Sequence, residues 1–454
     1  MSQQSGQLGK PRLTVMDTIA QSLAIGPVLS AVLLASFVAG VAGSAAPLVT
    51  LIAGIGSICI GWVIVLFARR FTGAGAIYDY VRKASSGEMG VFAAGVYFIG
   101  AMFLGGAGIY LAIGFFAQMF FAGLGINLPW SVWALLSIAL VFAFNHFGVQ
   151  TTTRTQLILT ALAVLPIIII ALAIIFQGGA AGNTLETFNP GNPNTGDLFR
   201  GVLLAITLFI GFEASASLSE ETENPKQTVP FAVLGTVAIA AVFYLIVLYA
   251  SAIGFGIDKV GDWAKDPAPL STLGAKYVGG WIAPWVDVAL IIDMLAVASA
   301  FMATTARGWF ALARHGLMPR ALASTSSYNT PFGGNVLVTA LAVLMVVMTQ
   351  MSGMDVMAMF GVSALTGTLL INLVYIVLAV LAFKLVTGSP IQYLVILGAI
   401  ITPVLAIYGS IVPLPPYPSS IAVALTFIGV IIASAWTMAT RQQVSSMDMT
   451  EAAD

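Results

Sequence analysis

Residues 199–219 read Phe199-Arg200-Gly201-Val202-Leu203-Leu204-Ala205-Ile206-Thr207-Leu208-Phe209-Ile210-Gly211-Phe212-Glu213-Ala214-Ser215-Ala216-Ser217-Leu218-Ser219. The run is long and apolar enough to cross a bilayer core about 30 Å thick, which needs about 20 residues in a helix. Near its middle stand Ile210, Gly211 and Phe212, a flexible point, and then a carboxylate, Glu213. A charge at that depth is costly unless it pairs, binds a cation or takes up a proton. This stretch therefore predicts an interrupted spanning helix with a working acid beside the interruption.

The rest of the chain has the same character. Of 454 residues, 59% are hydrophobic and 8% charged, against roughly 25% charged in a soluble domain. That composition excludes an ordinary soluble enzyme and a disordered chain. A net charge of −1 gives no basic surface for nucleic acid. The single cysteine, Cys59, excludes a disulfide framework and a cysteine metal cluster. Placement of charge divides the chain into twelve candidate spans: 15–39, 45–68, 89–122, 129–147, 155–177, 199–219, 229–254, 281–312, 332–350, 354–383, 391–413 and 418–438. No Asp, Glu, Lys or Arg lies between Glu88 and Arg154, between Lys226 and Asp258, or between Lys384 and Arg441. The fold class expected is an all-α polytopic membrane protein, with polar tails at 1–14 and 439–454.

Orientation follows the positive-inside rule. With the N-terminus in the cytoplasm, Lys10, Arg12, Arg69, Arg70, Arg82, Lys83, Arg154, Lys226, Arg307, Arg314, Arg320, Lys384 and Arg441 fall inside. Lys259, Lys265 and Lys276 fall outside in one loop, and Arg200 sits at a helix end. An even number of spans then puts both termini inside a plasma membrane of bacterial type. Trp130, Trp263, Trp281 and Trp285 are expected at the outer interface as an aromatic belt.

Span 1 carries a second interruption, Ala24-Ile25-Gly26-Pro27. Pro27 has no N–H, so the carbonyl four residues back loses its helical partner. Spans 1 and 6 open two five-helix halves, 15–177 and 199–383, with spans 11 and 12 at 391–438 added. Interruptions at matching positions of two halves point to a transport site near the bilayer midplane. Broken helices free N–H groups and carbonyls that hydrocarbon cannot satisfy. Pro27 suits the first position of a restarted helix, which would leave the N–H groups of Val28, Leu29 and Ser30 for an anion.

Residues 211–230 run Gly-Phe-Glu-Ala-Ser-Ala-Ser-Leu-Ser-Glu-Glu-Thr-Glu-Asn-Pro-Lys-Gln-Thr-Val-Pro. This resembles the span-6 signature of the amino acid–polyamine–organocation (APC) superfamily. Ala313-Arg314-His315-Gly316-Leu317-Met318-Pro319 is similar to the family's motif after span 8, with His315 in place of an Asp, and Thr72-Gly73-Ala74-Gly75-Ala76-Ile77-Tyr78-Asp79-Tyr80-Val81 is a weaker match before span 3. The resemblance implies a five-plus-five inverted repeat with broken helices 1 and 6, alternating access, and a small-molecule substrate, an amino acid or amine. It implies that amides of broken span 1 hold a substrate carboxylate and that carbonyls of spans 1 and 6 hold its ammonium. Family members usually have a Gly-x-Gly-rich break in span 1, and this chain does not.

The candidate substrate positions are Ala24, Ile25, Gly26, Pro27 and Val28 in span 1, Gly105 and Gly106 in span 3, and Phe209, Ile210, Gly211 and Phe212 in span 6. Asp293 in span 8 and Ser363, with Thr366 beside it, in span 10 complete the set. Glu213 is the candidate for proton coupling or gating. A lysine that some proton-coupled relatives carry in span 5 is replaced by Ala163. A sodium site has one weak candidate ligand, Ser299, and no other metal and no cofactor is expected. Glu220, Glu221 and Glu223 are expected to pair with nearby basic loops. The chain has no HExxH, no G-x-S-x-G and no phosphate loop, so neither an enzyme nor ATP drive is expected. Two carriers remain open: one for an amino acid or small amine, proton-coupled or exchanging, and one for polyamines or organic cations that ignores α-amino acids. Lipid is the expected surroundings.

Overall fold

Helix boundaries follow the chain's own punctuation. The computed structural model describes residues 13–23, 26–266, 268–386 and 388–451. Ser86, Asp197 and Asp355 cap the helices that follow them, accepting from the N–H groups of Met89 (3.3 Å), Arg200 (3.1 Å) and Ala358 (2.8 Å). Each satisfies a donor that a helix start leaves orphaned. Pro47, Pro225 and Pro390 sit in first turns, where a missing N–H costs nothing. Gly178 and Gly353 end helices in the left-handed conformation.

Twelve helices among the described residues are long and apolar enough to span a membrane. In order they are span 1 Val15–Ala42, span 2 Ala46–Ala68, span 3 Gly87–Gly123, span 4 Trp130–Phe147, span 5 Gln156–Gln177 and span 6 Leu198–Leu218. Span 7 is Pro225–Phe255, span 8 Ala283–Arg314, span 9 Phe332–Ser352, span 10 Val356–Ala382, span 11 Pro390–Ile411 and span 12 Ser419–Ser446. The described residues form no sheet; two isolated bridges join Leu13 to Thr222 and Gly43 to Thr195.

Burial sorts the spans into two layers. The most apolar window of span 6 is 94% buried and those of spans 1 and 3 are 81% and 83%, whereas spans 4 and 12 reach only 28%. Spans 1, 3, 6, 8 and 10 therefore form the interior, with spans 4, 5, 7, 9, 11 and 12 toward the lipid. Span 2 packs against spans 7 and 11, span 3 against spans 4, 10 and 12, and span 8 against spans 5 and 9. The two interrupted helices lie inside the bundle, where freed backbone groups are shielded from hydrocarbon.

Some expectations shift. Span 3 is two α-helices, Gly87–Ala101 and Ile109–Gly123, joined by a π-turn at Met102–Gly106. Such turns are frequent at functional sites. Span 12 continues as helix to Glu451, into the stretch read as a tail. Residues 439–446 hold no Gly or Pro to stop it, and Arg441 reaches Glu88 of span 3 at 2.8 Å. Trp281 is exposed as an interface residue would be, but Trp263 is 1% exposed. It stacks on Phe255 with the rings 6° from parallel, because Val260–Lys265 folds back onto the bundle. Trp263 is a core residue rather than part of a belt.

Candidate functional site

Span 1 breaks where the Gly-Pro pair predicts. Its first helix ends at Ser22; Gly26 has φ +61°, and Pro27 starts a new helix that runs through a π-turn at Ser30–Leu34 to Ala42. Ala24 and Ile25 lie outside the described residues. Gly26 is demanded twice. Its backbone is left-handed, and a Cβ there would stand 2.5 Å from Cγ2 of Val297 on span 8. Span 6 breaks in parallel: its α-helix ends at Thr207, Gly211 has φ +120°, and Phe212–Leu218 is a 3-10 helix.

The amides released by the span 1 break are engaged by the protein itself. Val28 N and Leu29 N donate to one oxygen of Asp293, Oδ2, at 3.0 and 2.8 Å. Ser30 N, the third expected anion donor, instead donates to the carbonyl of Gly26 at 2.8 Å. It already has a helical acceptor because Gly26 turns its carbonyl into the new helix. Asp293 is 0% exposed. Its other oxygen, Oδ1, has no hydrogen-bond partner among the described residues. Tyr244, fully buried, places its hydroxyl beside Ser30 and within electrostatic reach of Asp293.

The two breaks are tied to each other and to span 8. Ser30 Oγ donates to the carbonyl of Leu208 at 3.1 Å, and Ser22 Oγ to Ser215 Oγ at 2.8 Å. Gln21 Nε2 reaches Ala300 O and Thr304 Oγ1. Between the breaks lies a cavity of about 20 Å³, walled by Leu29, Gly105, Ile210, Val297, Phe301 and Phe360 among others. That is room for about one water and none for an organic solute, so the centre is occluded. Gly105 is small for a reason: a Cβ would lie 2.2 Å from the ring of Phe301.

Glu213 sits on the far side of the span 6 break, 2% exposed. Tyr97 of span 3 donates its hydroxyl to Oε1 at 3.0 Å, and Gly211 N donates to Oε2 at 3.1 Å. Both oxygens are thus engaged, one by a neighbouring helix and one by the break itself. Phe212 lies nearly parallel to Tyr375, and Phe209 meets Tyr244 edge-on.

Other candidates lie apart from this centre. Ser363 donates to the carbonyl of Phe103 at 2.5 Å and faces a different cavity, about 540 Å³, with apolar walls from spans 3, 8, 9, 10 and 12. Thr366 bonds back to Val362 within its own helix. Gly106 packs beside Met102 of its own π-turn. Ser299 accepts from the amide of Asn145 on span 4 at 2.9 Å. No group of three or more His, Cys, Asp or Glu that could hold a metal occurs among the described residues. Ala163 is buried.

Four contributors were not singled out from sequence: Tyr97, Tyr244, Asn145 and Asp79. Tyr97, Tyr244 and Asn145 are ordinary residues in apolar spans that only a long-range partner marks; Asp79, in the short helix ahead of span 3, is marked by its burial.

The end of the bundle where the chain starts is closed by a polar knot. Arg307 Nε meets Glu221 Oε1 at 2.7 Å, with both side chains nearly inaccessible, and Arg314 meets Glu220 at 2.7 Å. Glu220 also accepts from Ala74 N, and Ser219 Oγ both donates to and accepts from the backbone of Gly73. Leu13 pairs with the backbone of Glu221 and Glu223. Glu220 and Glu221 do pair with basic residues, but both arginines come from span 8, Arg314 as its last residue, and not from a loop.

Asp79 belongs to the same knot, in the short helix Ile77–Ala84 that precedes span 3. It is 5% exposed and accepts from Gly75 N at 3.0 Å. Burial, opposed by Lys83 and aided by the charge of Glu220, pushes its carboxyl up to about 6. The folded value lies above the ordinary 3.8. Protonated Asp79 therefore favours the fold at low pH, and that advantage is lost as pH rises through about 6. Asp79→Asn keeps an acceptor for Gly75 without the charge. At pH 7.5 it is expected to be more stable than the parent by up to about 3 kcal/mol, with the gain gone by pH 4. Thermal unfolding of purified protein across that range checks it; a gain independent of pH would rule the explanation out.

Twelve spans, two of them broken inside the bundle and facing each other across an occluded centre, define a polytopic permease rather than an enzyme. Residues 18–447 match the amino acid permease family, and the chain belongs to it. Curated relatives include the branched-chain amino acid permease BcaP of Bacillus subtilis (strain 168), 25% identical over 59% of each chain. Also similar are a cadaverine/lysine antiporter of Escherichia coli (strain K12), 26% identical over 66% of this chain and 71% of the relative, and the putrescine transporter PotE of Haemophilus influenzae, 23% identical over 77% and 78%. The match to BcaP spans less than two thirds of that protein's length.

Proposed function

We propose that this chain is a secondary carrier of an amino acid or small organic amine, working by alternating access in a plasma membrane with both termini cytoplasmic. The observation that supports it is the meeting of the two interrupted spans, with the amides of one break on a buried carboxylate and the carbonyl of Leu208 at the other on Ser30. Relatives named for branched-chain amino acids, cadaverine, lysine and putrescine agree with that solute class. In this reading the halves 15–177 and 199–383 move against each other about the site. Gly26, Pro27, Val28, Gly105, Ile210, Gly211 and Asp293 surround the solute, and the polar knot at the N-terminal end is one of two gates.

Glu213 would couple movement to a proton. It links the span 6 break to span 3 through Tyr97, so a change in its charge alters a contact between elements that must separate. Uptake of labelled amino acids and amines into proteoliposomes, with and without a pH gradient, tests the reading; no saturable uptake of any of them would overturn it. Glu213→Gln keeps the shape and cannot carry a proton. It is expected to insert normally and lose at least about tenfold of gradient-driven uptake, while solute exchange without a gradient persists. Undiminished gradient-driven uptake in that variant would remove Glu213 from the coupling.

The second reading is an organic-cation carrier that ignores α-amino acids. The engagement of Asp293 with the span 1 amides favours it.

A further inference from the structure

A helix start inside a membrane bundle needs acceptors for N–H groups that have none in the helix, and the helix dipole favours an anion among them. Here the anion is supplied in place by Asp293, whose Oδ2 receives both Val28 N and Leu29 N. The cradle a solute carboxylate would use is therefore occupied by a side chain 265 positions away in sequence. A second carboxylate brought against the first would meet like charge in a low dielectric, at a cost of several kcal/mol. The opposite demand is unmet. Asp293 is fully buried, and its Oδ1 has no partner among the described residues. A buried carboxylate oxygen without a donor calls for a hydrogen-bonding cation.

We propose, resting on the carrier reading above, that Asp293 is a resident substitute for a substrate carboxylate, and that the transported solute is an amine without a carboxylate whose ammonium binds Asp293 Oδ1. The rest of the solute is apolar and bears no second charge. Asp293 adjoins the central cavity through Leu29, whose N–H it holds, and Val297, one turn along span 8; those walls and Ile210, Phe301 and Phe360 are apolar, with Thr207 the one polar lining residue, and the other deep carboxylate, Glu213, already has a donor on each oxygen. Tyr244, fully buried and within electrostatic reach of Asp293, is placed to orient the ammonium.

Matched pairs differing only in the carboxylate test this on the purified full-length protein: isobutylamine against valine, and phenethylamine against phenylalanine. Affinity is read from ligand-induced thermal stabilisation and from competition for uptake in proteoliposomes. In each pair the amine is expected to bind at least about tenfold more tightly, and butylamine to bind at least as well as putrescine. Asp293→Asn should keep an acceptor for the span 1 amides and lose the amine by about a hundredfold. Asp293→Gly frees those amides and should gain binding of the amino acid of the pair.

Wild-type protein that binds the amino acid as well as the amine overturns the proposal while the carrier reading stands. So does putrescine binding better than butylamine, for the single charge. Binding of neither member of any pair overturns the proposal, and the carrier reading falls with it only if the full panel of labelled amino acids and amines also shows no saturable uptake. An Asp293→Asn variant that folds and keeps its amine affinity removes Asp293 from the site. The wild-type comparison decides the solute class even where that variant fails to fold.

Discussion

Replacing Arg307 with Ala should destabilise the protein by about 3–5 kcal/mol, the usual cost of stripping one partner from a buried ion pair. The pair is tight, at 2.7 Å, and the side chains of Arg307 and Glu221 are 3% and 6% exposed. Without the guanidinium, the Glu221 carboxylate remains buried with no countercharge. The backbone of Glu221 also holds Leu13, so the strand-like contact ahead of span 1 should loosen with it. Removing both partners, Arg307→Ala with Glu221→Ala, should recover roughly half of the loss or more, since the orphaned charge disappears. Thermal unfolding of the four proteins measures this. Additive losses, or a single-variant cost below about 1 kcal/mol, would mean that the pair is solvated and holds nothing closed.

The second large effect is expected at the break in span 1. Gly26→Ala puts a methyl 2.5 Å from Cγ2 of Val297 on a backbone with φ +61°. The left-handed conformation alone costs about 1–2 kcal/mol for an L residue, and the contact adds to it. The cheapest relief is to rotate Gly26 out of that conformation, which moves Val28 N and Leu29 N off Asp293. Uptake should fall at least about a hundredfold, a small displacement at a site being worth that much, with membrane insertion retained. Adding Val297→Ala removes the contact and should restore part of the uptake. Pro27→Ala restores an N–H at the restart and should impair uptake more than expression. Normal uptake by both Gly26→Ala and Pro27→Ala would reduce the break to a packing kink.

Much of this molecule is legible one residue after another. The bilayer rewards an unbroken apolar run and penalises charge, so span count and approximate boundaries follow from composition alone. The Gly26-Pro27 and Gly211-Phe212-Glu213 interruptions are equally local, since a missing N–H or a missing Cβ acts where it stands. Ser363 illustrates the limit. Its position in span 10 made it a candidate for the solute pathway, yet its hydroxyl bonds to the carbonyl of Phe103 and it borders the apolar 540 Å³ cavity. Which way a helix faces depends on its neighbours, and span 10 is apolar on all sides, so no periodicity marks its inner face. Trp263 is the converse case, an apparent interface residue drawn into the core by the fold of its loop.

The order of residues by itself therefore decided that the chain lives in a membrane, how often it crosses, and where two crossings break, because hydrophobicity, proline and glycine act through nearest neighbours and solvent. Only the tertiary structure decided what the broken ends hold. Asp293 meets Val28 across 265 residues and Glu213 meets Tyr97 across 116, and such pairings depend on how helices dock. A lone carboxylate in an apolar run announces that it needs a partner; packing in three dimensions selects the partner.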